Sequence, residues 1–250
     1  MLFDCRTTQE RDSGIEAAIA AVQRGDLVVL PTDTLYGLGA DAFKSWSVSA
    51  LLTAKGRRNP PPVLVGTRAT LDGLVFGLPK VAGDLVDAFW PGPLTIVVEQ
   101  APSLQWDLGE EMDGTVAVRM PLHPVALEVL RETGPMAVSS ANKTTQAPAS
   151  TAEQAREIFG YSVSVYLEAG QLPGSVASTI VDVTGDVPRV LRVGAVSLEQ
   201  LREVAPGTIG PDDWGPVESG AAAPGAAEES AGGVGAGAAA SAPGEPESEQ

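Results

Sequence analysis

The sequence predicts one α/β domain, a mixed β-sheet with helices packed on it, followed by an acidic tail. Three observations predict this. Short apolar, β-branched runs recur over roughly the first 205 residues, between segments of helical periodicity. Strand and helix candidates alternate at first and strands then cluster, which favours a mixed sheet over a purely parallel one. At Pro206 the composition changes to Gly, Ala, Pro, Ser and Glu, with too little bulky apolar surface to offset its ordering entropy. The expected division is a folded domain over 1–205 and a disordered acidic tail over 206–250.

Taken in order, Ser13 is placed to cap a first helix. Its apolar residues Ile15, Ala18, Ile19 and Val22 recur at helical spacing before Gly25 stops it. The run Leu27 to Pro31 reads as a buried strand, followed by the loop PTDTLYGLGADA. SWSVSALLTAKG reads as a helix, PVLVG as a strand, and Pro79 to Trp90 as another helix. LTIVVEQ, TVAVRMP, MAVSS, VSVYLEA, STIVDVT and PRVLRV are further strand candidates. Helices are expected to begin near His123, Thr151 and Ser197.

Bulk properties exclude several classes. Of the 250 residues 44% are hydrophobic and 19% charged, which suits a soluble globular chain with a sizeable core. No uninterrupted apolar run approaches the roughly 18 residues of a membrane span. The start, MLFDCRTTQERD, carries acids and arginines where a secretion signal needs an apolar stretch, so a cytoplasmic location is expected. Cys5 and His123 are the single cysteine and histidine, so an internal disulfide is impossible and a Cys/His metal cage lacks ligands. Cys5 reads as an inert thiol. His123, just before Pro124, reads as a helix-start residue rather than a general base. The net charge is −16; residues 206–250 hold eight acids and no bases, leaving 24 acids against 16 bases before them. Such acidity argues against tight nucleic-acid binding but leaves room for a locally basic pocket.

Neither GxxxxGK[ST] nor a GxGxxG after a strand occurs, and no GxSxG elbow is present. Polar residues instead gather where strands end. PTDTLYGLGADA offers hydroxyls and approachable amides to a small polar ligand, or is simply a turn made of turn-formers. KGRRNPPP, from Lys55 to Pro62, puts three bases in four positions at a helix end. That favours an anion clamp, with a mobile Lys charge and a planar Arg fork, over a purely dipolar role. SSAN, from Ser139 to Asn142, either positions a ligand at a strand's carboxyl end or caps the following loop. Arg119 and Arg192 close apolar strands and each needs a partner, from the protein or a ligand.

Together these motifs resemble the L-threonylcarbamoyladenylate synthase family, the YrdC/TsaC-like domain. PTDTLYGLGADA, Lys55 and Arg57 as KxR, FWPGPLTIVV, TVAVRMP, SSAN, GSVASTIVD and VLRVG stand in family order from about Asp12 to Val204. Seven weak pieces in one order make a specific signal. The resemblance implies an open, twisted sheet with a positively charged central cavity. It implies an enzyme that consumes L-threonine, bicarbonate or carbon dioxide, and ATP, releases pyrophosphate, and serves transfer-RNA modification. Lys55, Arg57, Ser140 and Asn142 would surround the nucleotide phosphates, with Arg57 and Ser140 touching ATP. Thr34, Arg119, Val138 and Ser178 would hold threonine, and Thr115, Pro148 and Arg192 would line the ATP side. Mg²⁺ is implied on ATP through phosphate and water rather than a protein cage. Downstream transferase components are implied as partners. Three positions depart from the family pattern: Arg58 stands for the usual proline, Gly66 for a frequent histidine, and Thr144-Thr145 for the common Ser-Gly. The competing classes are an RNA-binding or ribosome-maturation protein, disfavoured by the acidity, and a carbamoyl transferase of the hydrogenase-maturation type, disfavoured by the lack of cysteines.

Overall fold

The computed structural model describes residues 1–110, 112–172 and 176–213. Ten strands form one sheet: β1 (Leu2–Asp4), β2 (Val28–Leu30), β3 (Gly37–Asp41), β4 (Val63–Leu64), β5 (Leu94–Glu99), β6 (Thr115–Arg119), β7 (Met136–Ser140), β8 (Val165–Glu168), β9 (Thr179–Asp182) and β10 (Arg189–Arg192). Their spatial order is β1-β8-β2-β3-β7-β4-β6-β5-β9-β10. Parallel pairs (β1 with β8, β2 with β8, β4 with β6, β5 with β9) mingle with antiparallel ones, so the expected mixed sheet is present.

Alternation along the strands divides the core in two. In β2, Val28 and Leu30 join Ile15, Ala18 and Val22 of α1 (Thr8–Arg24) and Val129 and Leu130 of α5 (Pro124–Thr133). Val29 faces the other way and joins Leu51 of α2 (Ser45–Lys55), Leu71 of α3 (Arg68–Leu74), Leu85 of α4 (Lys80–Phe89), Phe159 of α6 (Ala152–Phe159) and Leu201 of α7 (Leu198–Val204). The same switch recurs in β7, where Met136 and Val138 face α1 and α5 while Ala137 faces α2. A period of two on a strand buried on both sides produces this division.

Most expected elements are present. The sequence reading did not include β1 or α3, and three further differences stand out. The first helix starts at Thr8 behind the N-cap Thr7, not at Ser13; its opening turn is polar and largely exposed, so apolar periodicity does not reveal it. Part of the PTDTLYGLGADA loop is strand β3. Its glycines mask it as turn sequence, yet they let β7 lie close: a Cβ on Gly37 would come within 2.5 Å of Val138 Cγ1, and one on Gly39 within 2.8 Å of Met136 Cε. Ordered packing also runs past residue 205. Thr208 is buried, and Ile209 exchanges backbone hydrogen bonds with Pro188 and Val190 beside β10. The rest of the expected tail, from residue 214, lies outside the described residues. No helix among the described residues is long and apolar enough to cross a membrane.

Candidate active site

Strand ends place a polar cleft on the sheet face that carries α1 and α5. Leu64 and Val138 belong to the core on that side, while Thr95 and Arg119 alternate with Leu94, Ile96 and Val118, which face the opposite side. These four line the cleft together with Thr32, Thr34, Arg57, Ser140, Ser178 and Arg192.

The PTDT loop is shaped by Thr32, whose Oγ1 donates to Leu35 O (2.6 Å) and accepts from the amides of Thr34 (3.1 Å) and Leu35 (3.2 Å). This hydroxyl-closed turn aims Asp33 and Thr34 at Arg119. The Arg119 guanidinium is buried, 6% exposed, and donates from Nε to Gly92 O (3.0 Å), from Nη1 to Thr34 Oγ1 (2.9 Å) and from Nη2 to Asp33 Oδ1 (2.5 Å). A guanidinium has five N–H groups, so one on each terminal nitrogen is left over, the fork that a carboxylate fits. Burial holds the Arg119 pKa below the usual arginine range, against the pull of Asp33; the positive charge of Arg192 adds to the lowering. Two guanidinium groups that feel each other across a largely desolvated cleft favour an anion between them.

On the other wall, Arg192 donates from Nε and Nη2 to Ser178 O (3.1 and 2.9 Å), and Nη2 lies 3.2 Å from Ser178 Oγ. Ser178 Oγ also pairs with Thr95 Oγ1 at 2.8 Å. Among the polar lining residues, Thr95 was given no role from the sequence, and Thr32 was noted only as one of the hydroxyls of the PTDT loop. A polar residue, Thr95, interrupting the apolar run LTIVV was the available signal, since a hydroxyl buried in a strand needs a partner.

The KxR and SSAN segments meet behind the cleft, and their geometry changes the expected role of Lys55. Rather than a mobile charge, Lys55 is 1% exposed and anchored: its Nζ donates to Ser140 O (2.9 Å), to Asn142 Oδ1 (3.0 Å) and, more weakly, to Ser140 Oγ (3.3 Å). Asn142 Nδ2 donates onward to Lys143 O (3.1 Å) and Gln146 O (2.8 Å), fixing the loop after β7. Thr144 ties that loop to the end of α2, donating through both N (3.0 Å) and Oγ1 (2.9 Å) to Lys55 O. Lys55 and Asn142 therefore stand behind Ser140, and Arg57 faces the cleft directly.

The remaining expected site residues divide. Pro148 lines an adjoining hollow that shares Thr34 and Leu35 with the cleft. Thr115 opens β6, four residues and about 13 Å of strand from Arg119, and its hydroxyl donates to Asp113 (2.6 Å). The structure does not bring it to the cleft wall.

The three departures have local explanations. Arg58 is exposed and pairs with Glu110 at 2.9 Å, outside the cleft. At Gly66 a Cβ would stand 2.7 Å from Arg131 N and 2.8 Å from Leu130 C; the end of α5 occupies the space a histidine would need. Thr145 adopts φ 70°, the left-handed region where glycine is at ease and a β-branched residue is strained.

Comparison with known proteins agrees with this architecture. The Sua5/YciO/YrdC family profile, described as "Telomere recombination", matches residues 20–194. A Mycobacterium tuberculosis protein provisionally named threonylcarbamoyl-AMP synthase is 57% identical over 204 residues, 81% of this chain and 94% of that protein. The threonylcarbamoyl-AMP synthase of Pyrococcus abyssi is 34% identical over 76% of this chain, which spans only 56% of that longer protein. A crystal structure of P. abyssi Sua5 complexed with L-threonine superimposes with a TM-score of 0.79 at 31% identity, covering 84% of this chain and 62% of the other. On fold, motif order and sequence identity alike, the chain belongs to the Sua5/YciO/YrdC family.

Proposed function

We propose that this protein is an L-threonylcarbamoyladenylate synthase. It joins L-threonine, carbon dioxide drawn from bicarbonate, and ATP into L-threonylcarbamoyl-AMP with release of pyrophosphate, for threonylcarbamoyl-adenosine in transfer RNA. The observation that carries the reading is the Arg119 fork: a buried guanidinium, held by Asp33, Gly92 and Thr34, with one N–H on each terminal nitrogen left for a carboxylate. It faces a cleft whose other polar groups are hydroxyls and two further arginines. Relatives named for this activity, and a similar structure holding L-threonine, support the same reading.

In this scheme Arg119 grips the threonine carboxylate, and the hydroxyls of Thr34 and Ser178 and the Val138 backbone settle its polar groups. The threonine nitrogen bonds to the carbon of carbon dioxide and loses a proton, giving a carbamate. A carbamate oxygen then attacks the α-phosphorus of ATP, and the bond from that phosphorus to the bridging oxygen breaks as pyrophosphate leaves. Two anions must approach, so the protein's task is positioning and charge compensation rather than covalent catalysis. Arg57 and Ser140 meet the phosphates. Lys55 sets its charge about 3 Å behind Ser140 and, with Asn142, holds that loop in place. Arg192 and Pro148 flank the nucleotide side, with Thr115 farther along β6. Mg²⁺ enters on the nucleotide as part of the substrate. Hydroxyls and guanidinium groups suit phosphate oxygens better than a divalent cation, and the described residues hold no cluster of three His, Cys, Asp or Glu. The product passes to the transferase components that modify transfer RNA.

The test is pyrophosphate release by the full chain with ATP, with and without L-threonine and bicarbonate, beside Lys55→Ala. Release that requires both co-substrates and falls by at least ~100-fold in the variant is the expected result. Threonine-independent release, or none from folded protein, would refute the assignment.

A further inference from the structure

The backbone at Ser178 is fixed from several sides. Thr179 N donates to Pro93 O (3.0 Å), Ala195 N donates to Ala177 O (2.9 Å), and Arg192 gives Nε and Nη2 to Ser178 O (3.1 and 2.9 Å). Gly194 admits that close approach, since a Cβ on it would lie 2.3 Å from Ala177 O. None of these contacts settles where the Ser178 hydroxyl proton points. Thr95, inside β5 and 1% exposed, is placed to do so: its Oγ1 lies 2.8 Å from Ser178 Oγ, its one hydrogen-bond partner among the described residues.

Counting protons gives the direction of that bond. A hydroxyl has one proton to give and two lone pairs to receive. Arg192 Nη2, an obligate donor, lies 3.2 Å from Ser178 Oγ and takes one of its lone pairs. If Ser178 donated to Thr95, the Thr95 proton would be buried without a protein acceptor, an arrangement folded chains avoid. If Thr95 donates, it takes the second lone pair of Ser178, and the Ser178 proton is left for the cleft that both residues line.

We propose that Thr95 is a positioning residue: by donating to Ser178 Oγ it commits the Ser178 proton to an acceptor atom of the bound amino acid. The inference rests on the synthase reading, in which Ser178 meets threonine, and adds to it the group that orients Ser178. Thr95 acts through Ser178 alone.

The full chain is titrated with L-threonine by calorimetry and assayed for pyrophosphate release, beside Thr95→Val, which keeps the side-chain shape and removes the hydroxyl. Threonine binding should weaken, and the threonine KM rise, about fivefold, the scale of one neutral hydrogen bond, while the KM for ATP moves less than about twofold. Thr95→Ser, which keeps the hydroxyl, should stay within about twofold of the parent. Thr95→Cys, a weak donor, is held to the valine result should the valine variant fail to fold. In a Ser178→Ala background, Thr95→Val should change threonine binding by less than about twofold, because the group it orients is gone. A fivefold loss that persists in that background, equal shifts for ATP and threonine, or no rescue by serine would overturn the proposal. So would an unchanged Thr95→Val in a parent that binds threonine and releases pyrophosphate, and the synthase reading would then survive. A folded parent that does neither would overturn both.

Discussion

Replacing Arg119 with methionine keeps most of the side-chain volume and removes the charge, which leaves Asp33 alone in a nearly closed site. The side chains of Arg119 and Asp33 are 8% and 12% exposed, so solvent cannot take over the pairing. At 2.5 Å and an effective dielectric of about 20, the attraction is about 6–7 kcal/mol, and desolvating two ions opposes it by several kcal/mol each. The intact pair is therefore close to neutral for stability, whereas the broken pair is costly. Asp33 Oδ2 already lacks a partner, and the variant removes the main partner of Oδ1 as well. A loss of about 3–5 kcal/mol is expected for Arg119→Met, a large part of the 5–15 kcal/mol that stabilises a typical domain. Asp33→Asn should lose less, about 1–2 kcal/mol, because Arg119 keeps Gly92 O and Thr34 Oγ1. Combining the two should recover about 2 kcal/mol relative to the sum, since the double variant buries no lone charge. Urea unfolding followed by tryptophan fluorescence measures all three. Additivity to within about 0.5 kcal/mol would refute the argument that Asp33 and Arg119 depend on each other.

Three more outcomes are expected. Thr145→Gly should stabilise the protein by about 1 kcal/mol, read as a melting-temperature rise of about 2–4 °C, because an exposed threonine at φ 70° gives up backbone strain and little packing. Gly66→Ala should destabilise by about 2 kcal/mol in urea unfolding, since its Cβ meets the backbone of Leu130 and Arg131 rather than a yielding side chain; an unchanged midpoint would show that α5 shifts freely. The third concerns pH. Burial lowers the folded pKa of His123 from its ordinary 6.5, so below that value the unfolded chain binds more protons than the folded one. Its contribution is therefore fully present above about pH 6.5 and is lost as pH falls towards the lowered value. Asp33 draws the proton in and Arg11, on α1, repels it. Compared with the parent between pH 7.5 and 5, His123→Asn should show a flatter decline in stability; identical slopes would mean the histidine titrates alike in both states.

Strands that combine β-branched residues with a clear boundary were legible in the sequence: β2, β5 and β6 fall within the segments expected. β3 was not, because GLGAD carries no strand-former and its two glycines read as turn punctuation. Their purpose is tertiary, to admit Val138 and Met136 from the neighbouring strand, and no local pattern encodes a neighbour's close approach. The opening of α1 was hidden for a related reason: Thr8 to Arg11 face solvent and leave no apolar period. Two of the caps with a hydroxyl acceptor were found, whereas Thr67, which caps the short helix α3 in the same way, was not. Thr151 and Ser197 both accept from the third residue of their helices, and Ser197 completes a capping box with Gln200.

The candidate site was legible as a set of residues and not as a set of layers. Motif order brings Lys55, Arg57, Ser140 and Asn142 into one neighbourhood, but spacing along the chain cannot say which of them faces the cleft. That depends on where α2 ends relative to β7. Gly56 takes φ 71° and stops the helix, so Lys55 turns inward under Ser140 while Arg57, two residues on, faces the opening. A buried lysine that gives its hydrogen bonds to one loop differs in kind from a half-buried arginine carrying the same charge. Removing Lys55 should disturb the loop and the cleft's potential together; removing Arg57 should weaken the anion site directly.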